Sequence, residues 1–421
     1  MAKNKKLNKW LWKWHFIAGI VSLPFILLLA ATGVIYLFKA QYEAPIYEPI
    51  KKVVVDGAPI SYQQQWEIAN ANAVKKPNSM IVPKTKEEST EFVSGRFGGA
   101  TSLYVNPYQG NVAGEILPQE SFMFKVRKLH GELLMGSFGT KIVELVACWM
   151  VVLILTGLFI WWPERGWKVK GYFIPRTNLG KRTFFRDTHA ITGFWMSILF
   201  LLILAGGLPW TDVWGAGFKK VQEITNTGFP NTWNRFFIEQ QPEKATTLSL
   251  DQMVAKAKKL DLSGEVKISF PTGKNGVYSI SNTNNKDLGS QKMIHFNPYT
   301  GKQVLKHNWE DVGFLMRGRM WVMAFHQGQF GQWNWILMLF TGVVLFLMSL
   351  SAIISYVLRK RKGDWGIPKV PASFKASNGV VILLALLCIA LPLFGFSIIL
   401  ISIFTFAERL YLKSSQTRVN D

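Results

Sequence analysis

Cysteine is almost absent: Cys148 and Cys388 are the only two in 421 residues. Each stands inside an apolar stretch, so neither a disulfide framework nor a cysteine-based zinc or iron–sulfur site can be built. No CxxCH occurs, which excludes covalent c-type haem attachment. No Walker loop occurs and no GxGxxG follows a strand, so no nucleotide or flavin site is legible. Charge is scarce as well, at 18% of residues, against 49% hydrophobic residues and a mean hydropathy of +0.15. That balance argues against a soluble globule. Acids are the scarcer sign, 26 against 48 basic residues, for a net charge of +22. In a soluble chain such an excess would point to nucleic acid. Here the positions of the basic residues give a different reading, and no nucleic-acid partner is expected.

Five apolar runs, 16–38, 143–162, 190–210, 334–358 and 379–407, are too long and too free of charge for soluble core helices. Before the first run stand Lys3, Lys5, Lys6, Lys9 and Lys13 with no acid; loop 163–188 carries seven basic residues and two acids, and loop 359–375 six and one. Residues 39–125 balance at nine of each sign. The positive-inside rule therefore places the N-terminus and both loops in the cytoplasm and the long segments outside. The first run is followed by no small-residue cleavage site and reads as a retained anchor. A multi-pass protein of a bacterial inner membrane, its spans in contact with the lipid bilayer, is the natural reading.

The chain repeats itself. YVNPYQGNV (Tyr104 to Val112) recurs as HFNPYTGKQ (His295 to Gln303), a shared NPYxG turn between alternating runs. Upstream of each lies a helix-like stretch, SYQQQWEIANANA and SLDQMVAKAKKL. Each external segment thus reads as a helix plus a small antiparallel sheet. WKWHFIAGI and RDTHAITGF open the first and third spans with the same H-x3-G spacing, His15 with Gly19 and His189 with Gly193. LHGELLMGSFG and FHQGQFG lead into the second and fourth, which contain Thr156-Gly157 and Thr341-Gly342. The expected division is a cytoplasmic N-terminus (1–14), first span (15–38), external segment (39–128), second span with lead-in (129–162), cytoplasmic loop (163–187), third span (188–210), second external segment (211–324), fourth span with lead-in (325–358), cytoplasmic loop (359–377), C-terminal hydrophobic stretch (378–407) and tail (408–421). The C-terminal stretch, with Pro392 inside, is either one kinked helix or a shallow hairpin.

Four of the six histidines fall at matching points of the repeat. His15 and His189 lie at the cytoplasmic ends of spans one and three, His130 and His326 at the external ends of spans two and four. Ionisable residues at membrane depth are functional candidates by default, and neutral imidazole is the usual axial ligand of b-type haem. Two levels point to two haems, with irons on the order of 15–20 Å apart for a span of ordinary rise. The alternative for any one of them is an interfacial histidine bonded to water or a headgroup. Zinc is a weaker rival, because Glu132 is the only nearby carboxylate. Arg127 and Arg186 each precede a histidine by three positions, placing them to meet haem propionates or, equally, lipid headgroups; Arg317 and Arg319 share that ambiguity. The Thr-Gly pairs serve either close helix packing or space for a porphyrin. His295 and His307 read as surface residues, and Asp212, Glu310 and Asp311 as solvated or capping groups.

Taken together, the H-x3-G openings, LHGELLMGSFG, TGLFIWWPERGW (Thr156 to Trp167), FHQGQFG and the paired NPYxG hairpins resemble the PepSY-associated transmembrane family, and within it the inner-membrane ferric-siderophore reductases and iron-regulated membrane proteins. The resemblance runs from about Trp10 to Arg361. It implies a membrane all-α helical bundle, four core spans in two repeats plus the C-terminal hydrophobic segment, carrying two small α+β PepSY-like periplasmic domains. It also implies two b-type haems on His15, His189, His130 and His326, and reduction of a periplasmic ferric siderophore or other ferric chelate from Fe(III) to Fe(II) for iron uptake. The electron donor would be a separate cytoplasmic reductase or a quinol. The alternatives are a conduit to another periplasmic acceptor, a non-redox PepSY-type binding or regulatory protein, and a proton-coupled transporter. The segment from His130 to Gly157 is 27 residues against 16 from His326 to Gly342, which sets His130 on a loop or an extended helix.

Overall fold

The computed structural model describes residues 5–95, 99–164, 166–234, 236–237, 246–273, 275–360, 363–370, 374 and 376–420. The start of the N-terminus, parts of the second external segment and parts of loop 359–377 therefore lie outside the described residues. In chain order the helices are α1 (Lys5–Leu37), α2 (Lys39–Lys51), α3 (Tyr62–Asn72), α4 (Phe122–Glu132), α5 (Gly136–Trp161), α6 (Val169–Tyr172), α7 (Lys181–Trp195), α8 (Ser197–Gly207), α9 (Val213–Ile224), α10 (Leu250–Lys259), α11 (Phe314–His326), α12 (Gln332–Val357), α13 (Asn378–Ala390) and α14 (Pro392–Asn420). The strands are β1 (Ser79–Ile81), β2 (Thr90–Ser94), β3 (Thr101–Asn106), β4 (Asn111–Ile116), β5 (Glu265–Ser269), β6 (Tyr278–Thr283), β7 (Lys292–Phe296) and β8 (Gln303–Asn308). The chain forms two compact units, one of Met1–Val34, Lys128–Phe218 and Leu337–Asp421, the other of Ile35–Arg127 and Lys219–Ile336.

The first unit is helical. Among the described residues, helices α1, α5 and α12 are long and apolar enough to cross a membrane, and α7 with the segment from Ser197 to Trp210 is a further apolar pair bent by 64°, a broken span or a re-entrant loop. The bend falls at Met196, where the Ser197 hydroxyl donates to the Phe194 carbonyl (2.8 Å) and so takes up a backbone acceptor of the helix end. This makes the chain a multi-pass membrane protein. Ile26, Ala30, Val146, Met150, Ile154, Phe200, Leu204 and Leu345 form the buried core of the bundle. One carboxylate is fully buried in α5: Glu144 accepts from the backbone N–H groups of Val213 (2.8 Å) and Trp214 (2.9 Å). It satisfies the orphan donors at the start of α9, where the helix dipole also favours negative charge. The C-terminal hydrophobic stretch is two helices meeting at Leu391, with Pro392 opening the second. Helix α13, at 13 residues, is shorter than the ~20 needed to span a bilayer.

The second unit corrects the expectation of two separate small domains. Its eight strands form one antiparallel sheet in the order β4-β3-β2-β1-β5-β6-β7-β8. Each half is a four-stranded meander, and the halves join through their first strands, Met80 opposite Ile268. The NPYxG turns close β3–β4 and β7–β8 as the sequence predicts. The side chain of Asn106 accepts from the N–H of Tyr108 (2.9 Å) and that of Asn297 from Tyr299 (2.9 Å), while Gly110 and Gly301 take positive φ. The halves also match at their helices. Ser61 with Gln64 caps α3 and Ser249 with Gln252 caps α10, each as a capping box. The Asp251 carboxylate accepts from the N–H of Tyr62 (2.8 Å) and Gln63 (3.2 Å), tying the two helix starts together. Both helices cover one face of the sheet over Met80, Phe92, Leu103, Ile268, Ile280 and Ile294, each apolar side chain so buried contributing about 1.5–3 kcal/mol.

His295 and His307 belong to this unit and are buried, not surface residues. The segment carrying Thr232, Trp233 and Phe236 covers them. His295 Nε2 meets the Thr232 carbonyl (2.8 Å) and Nδ1 the Ser279 hydroxyl (2.8 Å), while His307 Nε2 meets Thr232 Oγ1 (2.9 Å). Burial holds the His295 imidazole below the usual histidine range, partly offset by the Thr232 carbonyl. With the folded value depressed, the unfolded chain takes up the proton first. The stability contributed by neutral His295 is therefore complete above the unfolded value of about 6.5 and is lost as pH falls below it. Thermal melts one pH unit either side of that value are expected to show the acid loss in wild type and a smaller loss in His295→Asn.

Candidate functional site

Three of the predicted histidines lie in the helical unit. His15 sits on α1 and His189 on α7, and their ring centroids are 6.5 Å apart with planes at 74°. Imidazole nitrogens bind a metal ion at about 2 Å, so two rings facing one ion have centroids roughly 6 Å apart. The structure thus pairs these two at the separation axial ligation requires.

Hydrogen bonds select the tautomer of each ring. The Thr156 hydroxyl donates to the Val152 carbonyl (2.7 Å), so its oxygen is left to accept from His15 Nδ1–H (2.9 Å). His189 Nδ1 lies 3.3 Å from the Met348 carbonyl, which can only accept. His130, on α4, repeats the arrangement: Thr32 donates to the Leu28 carbonyl (2.7 Å) and faces His130 Nδ1 at 3.1 Å. Protons on Nδ1 leave Nε2 with the free lone pair, the nitrogen able to bind a metal. No hydrogen-bond partner of His189 Nε2 is found among the described residues. An anchored Nδ1–H is how metal-binding histidines are held in orientation.

The glycines beside these threonines make room. A Cβ added at Gly157 would stand 3.2 Å from His15 Cε1, and one at Gly33 3.2 Å from His130 Cε1. Gly342 is different, since a Cβ there would meet Val34 Cγ2 at 2.7 Å. Thr341-Gly342 therefore serves helix packing and is not the counterpart of Thr156-Gly157. Counting 17 residues from the aligned Phe-Gly pairs, Phe138-Gly139 and Phe330-Gly331, reaches Thr156 in one repeat and Met348 in the other. These are the two groups that receive His15 and His189. The unequal spacing noted in the sequence is thus a real offset between two functionally different Thr-Gly pairs. From His15 to Thr32, beside His130, is 17 residues of α1, a rise of about 25 Å.

His130 and His326 ride on short helices ahead of α5 and α12. His130 is on α4, separated from α5 by Leu133 and Leu134 in the left-handed region, and a Cβ at Gly139 would collide with the Glu132 carbonyl. His326, in the second unit, ends α11. The turn after it is closed by buried Asn334, whose amide donates to the Phe325 carbonyl (3.1 Å) and accepts from Phe330 N–H (3.1 Å). Arg127 lies over the Phe124 ring at 4.6 Å. Arg186 meets a carboxylate of the chain itself: Asp187, fully buried, accepts from Arg186 Nη2 (2.9 Å) and from Arg176 Nε (2.7 Å) and Nη2 (2.9 Å). Asp187, Asn334 and the Met348 carbonyl carried no sequence signal of their own; Asp187 had only its place two residues before His189.

No group of three or more His, Cys, Asp or Glu side chains is placed to hold a metal ion among the described residues. The His15–His189 pair therefore offers two neutral nitrogens and no protein ligands between them, a donor set suited to a metal whose remaining ligands come from a bound macrocycle. No curated protein matches the chain significantly. The family model for the PepSY-associated TM region does match, over residues 12–359. Covering most of the chain, including α5, α12 and the whole of the sheet-bearing unit, that match makes the chain a member of the PepSY-associated transmembrane family.

Proposed function

We propose that the protein carries electrons across a bacterial inner membrane to reduce a ferric siderophore or related ferric chelate on the periplasmic side. The observation that carries this reading is the His15–His189 pair, held 6.5 Å apart with both Nδ1 atoms turned to oxygen acceptors. The donor set fits a b-type haem held by His15 and His189, and the same tautomer selection makes His130 a ligand for a second, with His326 the remaining histidine of the repeat. Haem bound at these positions supplies reversible one-electron carriage without proton or group transfer.

The protein's own contribution is orientation and dielectric. Thr156, Thr32 and the Met348 carbonyl hold the rings in orientation. The apolar core around Ile154, Phe200 and Leu345 keeps water from the span. The positive loops support a cytoplasmic His15 level and a periplasmic sheet. The electron enters from a separate reductase or a quinol. A ferric ion that accepts one electron becomes Fe(II), which hard oxygen donors hold less tightly. The test is the dithionite-reduced minus oxidised spectrum of purified protein expressed with haem available. A b-type signal of about two haems per chain is expected; a colourless protein overturns the proposal.

A further inference from the structure

A cavity in the sheet-bearing unit has a volume of about 720 Å³ and is lined by Lys286, Asp287, Trp309, Arg317, Trp321 and Trp333 among others. That volume lies within the range of small-molecule sites, about 300–1,000 Å³. Three separate segments build it: the connection between β6 and β7, the short turn after β8, and α11 with the start of α12. Arg317 and Trp321 share one face of α11, the helix that ends in His326.

Two features give the cavity a chemistry. Its charged lining is two cations against one acid, and neither Arg317 nor Lys286 forms an ion pair among the described residues. Its apolar lining is aromatic, with Trp321 and Phe330 centroids 5.4 Å apart and the Trp321 and Trp333 rings about half exposed. Trp333 alone, at the start of a span, would read as an interfacial anchor. Trp309 and Lys286 come from the sheet side of the unit and have no such reason to converge there. Indole faces stack on planar rings, and unpaired guanidinium and ammonium groups select anions.

We propose that this cavity binds the iron chelate and selects anionic chelates with aromatic donors, of the catecholate class, over neutral hydroxamates. The assignment rests on the proposed function, and its test is independent of electron transfer. Gallium(III) tris-catecholate is a redox-inert trianion, and gallium(III) tris-acetohydroxamate is neutral. Calorimetric titration of the full chain in nanodiscs with each complex is expected to show the catecholate binding about 10- to 100-fold more tightly, the size of one or two charge-assisted contacts. Arg317→Gln and Trp321→Leu are each expected to weaken catecholate binding about tenfold or more while leaving the thermal midpoint in place. Equal affinity for the two complexes, equal uptake by protein-free nanodiscs, or catecholate binding unchanged in both variants would overturn the assignment. The haem spectrum is read on separate samples, so a chain with two haems and no catecholate preference rejects the cavity and leaves the conduit standing.

Discussion

His189→Ala is expected to lower haem content from about two per chain to about one, and His15→Ala to do the same. The two rings share one site, with centroids 6.5 Å apart, so the double variant should lose no more than either single variant. Such non-additivity is the signature of side chains acting as one unit. Thr156→Val keeps the shape but removes the acceptor that holds His15 Nδ1. It is expected to weaken binding about 10- to 100-fold, the usual cost of losing an outer-shell partner. His307→Ala, buried in the sheet unit, serves as the control that retains both haems. Pyridine haemochrome assays against protein concentration decide the matter. Two haems retained in both alanine variants would remove the pair from the site and return His15 and His189 to a packing role.

The second large effect is expected at Asp187. This carboxylate is fully buried and receives two guanidinium groups and the Arg176 backbone N–H (3.1 Å). Asp187→Ala would strand those donors. Removing one partner of a wholly buried pair costs about 3–5 kcal/mol. Here the Arg176 and Arg186 side chains keep 33% and 46% of their surface exposed and can be partly resolvated, so about 2–3 kcal/mol is expected. The loss should appear as a lower thermal midpoint in detergent together with a weakened His15–His189 site, because Asp187 ties Arg176, ahead of α7, to the helix two residues before His189. Asp187→Asn keeps the shape and part of the hydrogen bonding and should fall between. An alanine variant with an unchanged midpoint would show that the two arginines find other partners.

The sequence made the repeat, the spans and the four histidines readable because each rests on local pattern. Apolar runs near 20 residues report membrane helices with no need of a fold, and NPYxG carries its own turn chemistry in Asn106, Asn297, Gly110 and Gly301. The sheet was half legible. Alternation identified strands and hairpins, but the joining of β1 to β5 depends on two edges nearly 190 residues apart in the chain, and edge strands carry no mark naming their partner. His295 and His307 were misread for a related reason. Their burial comes from a covering segment, Thr232 to Phe236, whose position nothing in β7 or β8 announces.

At the site the division is sharper. Residue type and spacing determined which histidines stand at which ends of the spans, since helical rise converts sequence position into depth. Only the tertiary structure decided that His15 faces His189, that Thr156 and Thr32 receive histidines while Thr341 does not, and that Arg186 is held by Asp187. Depth along a helix follows from counting, whereas rotation about its axis and the choice of neighbour are set by packing. A Thr-Gly pair looks the same in sequence whether the space it leaves is filled by an imidazole, as at Gly157, or by the methyl group of Val34, as at Gly342.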